Sequence, residues 1–499
     1  MSNINNDKHV DTELSLHILE KINCKNQKND LIHAKSIPPV DNENIVNLKK
    51  NSCFKFDANL VQENIYKISK DIQLTEYIID KDKKNFIFNH HSLEKLGQAL
   101  APFVAYGFLN GGSSSSYTDI TKNKNSYPEL FSIYQKEFDI ISKASRAKPK
   151  GITPAYINPD GSLGEDFLAL KIRSVLLKRM EYFKIYPTNR EQIAYPLFQM
   201  DSVLNHDKIQ KALLNYSDNK LIKDLADETG KSINIANIDT ASQPLINTFK
   251  KNEKGEFEFF DNAYGKENTI LPMPGGHGQN FYVLKDIYKK LLNRGIRYCY
   301  LSNIDNMGAV IDDASIAYLA LSGKNAAFDF SKKTPADVKG GILIIDQNDK
   351  YNCGDIGVAI DAKEVDFAEI AQKNILFNCA TGIFDLQYLV DNIDYVIDKL
   401  PLRLSSQKKD AGSYFQAEQV AWEIIGLIDD PLFFIVDKYE RFLAAKMLIE
   451  GLMASGLYLD NENYPQKFKE ITANLSDGLK YQLTNNYGMV LKNGRWIPC

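Results

Sequence analysis

Two stretches of this chain carry residue types suited to holding a phosphorylated ligand. Leu271–Gln279 reads LPMPGGHGQ, a glycine turn with one histidine, and Tyr300–Gly308 reads YLSNIDNMG, an apolar strand ending in a lone aspartate. The run between them, NFYVLKDIYKKLLNRG, has helical spacing. A loop, a helix, a strand and then an acid at the strand's carboxyl end is how an open α/β sheet builds a nucleotide site. An aspartate there commonly holds a divalent cation against phosphates. An ordinary βα turn with a solvated aspartate is the other reading of the same residues. Asn110-Gly111-Gly112 follow the apolar run FVAYGFL and precede SSSSYTD. Glycines directly after a strand let backbone N–H groups cradle a phosphate or a base edge, although a surface loop reads the same way. In Lys148-Pro149-Lys150-Gly151 the proline and glycine constrain the backbone that presents Lys150. A lysine so placed suits phosphate charge; a solvated lysine is the alternative. The stretch Lys332–Gly341, KKTPADVKGG, leads into ILIID and suits an anionic or hydroxyl-rich ligand. In Tyr439–Lys446, YERFLAAK, Lys446 heads an apolar run, where a solvated lysine is the commoner outcome.

These residues need a scaffold, and the hydrophobic pattern supplies one. Strand-like runs fall at Phe103–Leu109, Gln192–Met200, Arg297–Asn303, Gly341–Asp346 and Asn374–Asn378. Helical spacing marks Glu13–Ile22, Ala58–Asp80, Ser92–Leu100, Asp166–Tyr182, Gln279–Leu292, Leu386–Lys399 and Phe415–Ile428. The alternation predicts a largely parallel sheet covered by helices on both faces. Residues 1–51 are polar with few aromatics and read as a mobile arm. We divide the remainder into a helical region over 52–100, a core over 101–400 and a C-terminal region over 401–499 that closes the site.

Composition removes several classes. The 499 residues are enough for about three domains, and 44% hydrophobic with 25% charged residues is ordinary for a globular chain. A net charge of -4 leaves no basic footprint for nucleic acid, and no apolar run is long enough to span a bilayer. The N-terminus lacks an apolar signal core. The six cysteines are scattered without a CxxC pair, which argues against structural zinc and for a reducing, cytoplasmic setting.

Taken in order, LNGG, PKG, FQMDS, GGHG, SNIDN, KTPADVKGG, FN and RFLAAK resemble the UTP–glucose-1-phosphate uridylyltransferases, the eukaryotic-type UDP-sugar pyrophosphorylases. The resemblance runs from about Leu109 to about Lys446, and KTPADVKGG with SNIDN is its specific part. It implies an α/β fold: a Rossmann-like GT-A nucleotidyltransferase core with a mainly parallel mixed sheet, a helical N-terminal region and a short C-terminal region. It also implies magnesium, with UTP and a sugar 1-phosphate as substrates and pyrophosphate released. GGHG and SNIDN favour glucose over N-acetylglucosamine. An N-acetylhexosamine or broad-specificity enzyme and a non-catalytic nucleotide-sugar binder stay open. By motif, Asn110, Gly111 and Gly112 would line the uracil and phosphate loop, and Met200, Gly276 and His277 would hold the uridine. Asp305 would ligate magnesium with Asn303 beside the sugar, and Gly341, Asp355 and Asn378 would contact the sugar. Lys150 and Lys446 would balance phosphate charge.

The chain departs from the family in five places. Ser113–Ser116 replace the usual Leu-Gly-Thr, and Lys150 follows the glycine loop at a much longer spacing, so Lys122 or Lys124 is an alternative loop lysine. Asp355 stands where the family has a glutamate. Gln243 is off the family spacing and is left out of the expected site. The stretch after Lys446 is expected to be too short for the family's full C-terminal β-helix.

Overall fold

The computed structural model describes residues 9–24, 31–49, 51–114, 117–189, 194–229, 238–334, 337–444 and 446–499. Its centre is an eleven-stranded mixed sheet. In chain order its strands are β1 (Ala34–Ser36), β2 (Ile45–Asn47), β3 (Val104–Leu109), β4 (Leu197–Ser202), β5 (Asp239–Gln243), β6 (Tyr298–Asn303), β7 (Ala326–Lys332), β8 (Gly341–Asp346), β9 (Tyr351–Asp355), β10 (Leu376–Asp385) and β11 (Leu432–Val436). The main path runs β2-β11-β7-β10-β6-β3-β4-β5, and β8 joins β10 while pairing with β1 and β9. Neighbours on that path are parallel except at β10, which runs against both β6 and β7.

Alternation along the central strands explains the two covered faces. Tyr106, Phe108, Tyr298 and Tyr300 enter one apolar core with the helices His90–Ala99, Phe167–Ile185 and Asp313–Ser322. Ala105, Leu109, Cys299 and Leu301 enter the other, under Asn280–Val283, Lys285–Asn293 and the pair Leu386–Asp391 and Ile393–Lys399. A strand buried on both faces reads as a continuous apolar run, as FVAYGFL does. From β3 the chain moves outward to β4 and β5, then returns to place β6 on the other side of β3. That reversal is a switch point, and ligands of open α/β sheets bind outside the carboxyl ends of strands there.

Several expectations are corrected. The N-terminal 51 residues are no arm where described. β1 and β2 belong to the central sheet, and Ile18 and Ile22 of the helix Thr12–Asn23 pack on Ile246 and Phe249; residues 1–8, 25–30 and 50 lie outside the described residues. Region 52–100 is not purely helical. It holds a three-stranded sheet of Cys53–Asp57, Asp80–Lys81 and Asn85–Asn89, and the helix expected to reach Asp80 stops at Ile68. The strand expected at Gln192–Met200 is β4, beginning at Leu197; Gln192 and Ile193 lie outside the described residues. Phe415–Ile428 is not a helix but the strand Gly412–Glu418 followed by a 3₁₀ segment, Ala421–Leu427. Its apolar spacing mimics a helix, yet the strand is held by Arg403–Lys409 and by distant Phe249–Lys251 in a separate four-stranded sheet. After Lys446 come the helices Leu448–Ala454 and Gln466–Tyr481, a π-helical turn and a hairpin of Met489–Lys492 with Arg495–Pro498.

Candidate active site

The glycine loop and the Lys150 segment meet directly. Parallel register sets Leu109 against both Met200 and Asn303, so β3, β4 and β6 end together. Asn110 N–H donates to the Met200 carbonyl at 2.7 Å, and its side-chain amide donates to Gln199 Oε1 at 3.1 Å. The residues separating the loop from Lys150 fold as the helices Ile120–Ser126 and Pro128–Ser145. They bring the chain back so that Lys150 N–H donates to the Gly112 carbonyl at 3.0 Å. A Cβ on Gly151 would fall 2.2 Å from Asn110 Oδ1, so only glycine allows this approach. The long spacing is therefore an excursion that leaves Lys150 beside the loop. Lys122 and Lys124 sit exposed on the excursion's first helix. Ser115 and Ser116 lie outside the described residues.

Lys150 faces Asp305 across the switch point, with Nζ 3.9 Å from Oδ2. Burial pulls the lysine's pKa down, while Asp305 and Glu450 oppose that shift. Asp305 follows β6 on a turn braced from beneath. The fully buried Lys171 donates to the carbonyls of Asn306 and Ala309, each at 2.5 Å, and burial lowers its pKa to about 7. Asn306 also donates to the Arg441 carbonyl at 3.1 Å. Arg441 in turn reaches Asp329 at 2.8 Å and the Tyr300 hydroxyl at 2.9 Å. The arginine of RFLAAK thus fastens the Lys446 segment to β6 and β7.

The GGHG turn forms the next wall. Gly276 has φ +81, and a Cβ there would lie 2.5 Å from the Gln419 carbonyl, so both conformation and space require glycine. His277 Nδ1 accepts the Ala421 backbone N–H at 3.0 Å. A backbone N–H can only donate, so the proton of neutral His277 sits on Nε2. Burial lowers its pKa to about 4, which keeps the ring neutral near pH 7. Gln243, left out of the expected site, donates to the Gly276 carbonyl at 2.7 Å and to Gln279 Oε1 at 2.8 Å. Its own Oε1 lies 3.1 Å from the Cβ position of Gly111, so Gln243 bridges the two glycine turns. Only the register Ser202↔Gln243 between β4 and β5 puts it there, and that pairing is long-range.

A third wall gathers Gly341, Asp355 and Asn378. Gly341 pairs with Asp355 across β8 and β9. A Cβ on Gly341 would meet Cys353 Sγ at 2.2 Å and Asp355 Oδ1 at 3.4 Å. Arg403 reaches Asp355 at 2.5 Å and also the buried Glu423, with Nε to Oε1 at 2.9 Å. Burial pushes the Glu423 carboxyl up to about 7 against the pull of Arg403. Neither Arg403 nor Glu423 belongs to a recognised motif, and the misreading of Phe415–Ile428 as a helix concealed Glu423. Lys446 lies exposed at the rim, its Nζ 3.3 Å from the Lys339 carbonyl. Two sequence expectations are only partly met. Met200 is 1% exposed and its side chain is core, so what it offers the loop is its carbonyl. Asn303 lies at the end of β6 with its Oδ1 buried and unpartnered, as are Asn378 Nδ2 and Asn110 Oδ1.

The fold and this loop–acid–lysine arrangement define a nucleotidyltransferase-type α/β protein. The family model described as UTP–glucose-1-phosphate uridylyltransferase matches residues 164–472, and the chain belongs to that family. The match begins after Lys150, so the glycine loop and that lysine stand on geometry and motif. The UTP–glucose-1-phosphate uridylyltransferase of Hordeum vulgare is 25% identical over 302 residues, covering 58% of this chain and 59% of that protein. A second, from Dictyostelium discoideum, is 31% identical over 148 residues, covering 28% and 29%. The chain thus spans less than two thirds of the length of these relatives. Among solved structures, a UDP-glucose phosphorylase from Trypanosoma brucei aligns over 90% of this chain and 76% of its own, with TM-score 0.57 and 18% identity. The uridine diphosphate N-acetylglucosamine pyrophosphorylase of that organism aligns over 86% and 87%, with TM-score 0.54 and 14% identity. Both likenesses show the shared fold. Among the described residues no helix is long and apolar enough to cross a membrane.

Proposed function

We propose that this protein joins UTP and glucose 1-phosphate into UDP-glucose, releasing pyrophosphate. The observation that carries the reading is the Lys150–Asp305 pair, 3.9 Å apart at the switch point beside the glycine loop. A sugar-phosphate oxygen attacks the α-phosphorus of UTP. The new P–O bond forms as the bond to the β-phosphate oxygen breaks, and pyrophosphate carries away the electron pair. Such a transition state asks the protein for position and positive charge rather than for a nucleophile. Lys150 holds its ammonium against the α-phosphate, and Lys446 reaches the sugar phosphate or the leaving pyrophosphate from the rim. The backbone of Gly111 and Gly112 cradles the phosphates. Gln243 fixes the distance between that loop and the GGHG turn, where neutral His277 offers Nε2–H to a base or ribose oxygen. The unpartnered amide atoms of Asn303 and Asn378 suit sugar hydroxyls.

Magnesium, when bound, supplies further neutralisation of the phosphate oxygens. Asp305 is the residue that would hold it. Among the described residues no three or more His, Cys, Asp or Glu are grouped so as to hold a metal ion by themselves. A single partly exposed carboxylate still fits an ion that keeps several waters and shares its remaining positions with substrate phosphates. Six unpaired cysteines suit a reducing cytoplasm. The test is product analysis after incubation with UTP, magnesium and a panel of sugar 1-phosphates. UDP-glucose should predominate. A protein that binds UDP-glucose yet forms no nucleotide sugar from any member of the panel would be a binder and not a transferase.

A further inference from the structure

We infer that Tyr117 is a positioning residue for Lys150: its ring face holds the ammonium where the α-phosphate is met. The inference rests on the reading of Lys150 given under Proposed function. Lys150 Nζ stands 3.7 Å from the Tyr117 ring centroid, at close cation–π range, with the Phe167 ring further off at 5.7 Å. Asp305, Glu450 and Lys122 act on the ammonium through their charges. The ring is fixed from several sides. Tyr117 is 4% exposed within the apolar cluster that joins the excursion helices to Leu448–Ala454. Its carbonyl accepts Leu448 N–H at 3.1 Å and the Asn123 side-chain amide at 3.0 Å. Asn123 Oδ1 accepts Ile449 N–H at 3.0 Å. At the far end, a Cβ on Gly451 would lie 3.1 Å from the Tyr117 hydroxyl, so a residue without a side chain faces the phenol.

This gives the excursion between Gly112 and Lys150 a purpose. It carries an aromatic face to the buried ammonium and docks that face on the helix following Lys446. Glu450 of that helix accepts Lys446 N–H at 2.7 Å, so the surroundings of both lysines are built on one element. A desolvated ammonium held by a ring face is restrained in position and keeps its charge for a substrate phosphate.

The test replaces Tyr117→Phe and then adds one, two and three fluorines to that ring. Fluorination withdraws the face's negative potential with little change of volume. Tyr117→Phe, which retains the ring face, is the reference against which the series is read. The fluorinated series should lower kcat stepwise, by roughly ten-fold overall, with KM for UTP and the melting temperature held. In a Lys150→Ala background the series should be flat. A flat series in the parent, with Lys150 still required, would overturn this inference alone. A Lys150→Ala protein with the wild-type rate would overturn it together with the reading it rests on.

Discussion

At the scale of single residues, the site depends on where a few charges are kept. Lys150 is buried against Asp305, whereas Lys122 and Lys124 lie on an exposed helix turn. Preorganised groups aimed at developing charge are worth about 3–4 kcal/mol each. Lys150→Ala should therefore lower kcat by about a hundred- to thousand-fold, while Lys122→Ala and Lys124→Ala stay near wild type. Steady-state kinetics on the three variants decides which lysine is the loop lysine. Lys446 is exposed, so Lys446→Ala should cost less. His277 yields a pH prediction. Its pKa in the fold, about 4, lies below the unfolded value near 6.5, so the fold favours the neutral ring. The stability this contributes is complete above pH 6.5 and is lost as pH falls toward 4. Protonation also takes Nδ1 away from the Ala421 N–H. UTP affinity measured by calorimetry should hold from pH 8 to about 6 and weaken toward 4. A His277→Gln variant should flatten that acid limb, and a wild-type transition centred near 6.5 would contradict the buried, neutral assignment.

At the scale of elements, much of the frame was legible from local pattern. The sequence placed β8 at its observed bounds, and it placed β3 and β6 to within a residue. Each is a short apolar run bounded by turn residues, and burial on both faces leaves little ambiguity. What local pattern could not carry was pairing between distant segments. Gly412–Glu418 has no sequence mark of its partners at 249–251 and 403–409, so its apolar spacing was read as helical. The same limit hid Gln243, whose role exists only because β5 lies beside β4. The excursion helices show the reverse case. Spacing along the chain sets Lys150 far from the glycine loop, and docking of Pro128–Ser145 on Leu448–Ala454 accompanies its return to Gly112. Asn123 secures that docking with hydrogen bonds to Tyr117, Asp119 and Ile449 from a fully buried position. Asn123→Ala strands those partners and should cost about 2–3 kcal/mol of stability in denaturant titration. It should also lower kcat, because Lys150 and Glu450 lose their shared frame. Unchanged stability would mean that the docking does not depend on this residue.

At the scale of the whole molecule, three separate sets of elements converge on one cleft. The carboxyl ends of β3, β4 and β6 bring the glycine loop and Asp305. The hairpin of Arg403–Lys409 with Gly412–Glu418 and the segment after it bring Arg403, Glu423 and the backbone that meets His277. The excursion and the C-terminal helices bring Lys150, Glu450 and Lys446. The sequence motifs named most of the first set, because those residues lie on contiguous stretches at strand ends. They missed most of the supporting side chains, among them Lys171 and Arg403, whose partners are remote in sequence. The proposed function turns on the Lys150–Asp305 pair as a uridylyl-transfer centre. The direct measurement is pyrophosphate release from UTP and glucose 1-phosphate as magnesium is titrated, for the wild type, Lys150→Ala and Asp305→Ala. The wild type should release pyrophosphate in a magnesium-dependent way. Lys150→Ala should lower the rate at every magnesium concentration, and Asp305→Ala should lose it almost completely in a protein that remains folded. A folded Asp305→Ala variant with the wild-type rate and magnesium dependence would contradict the proposed function.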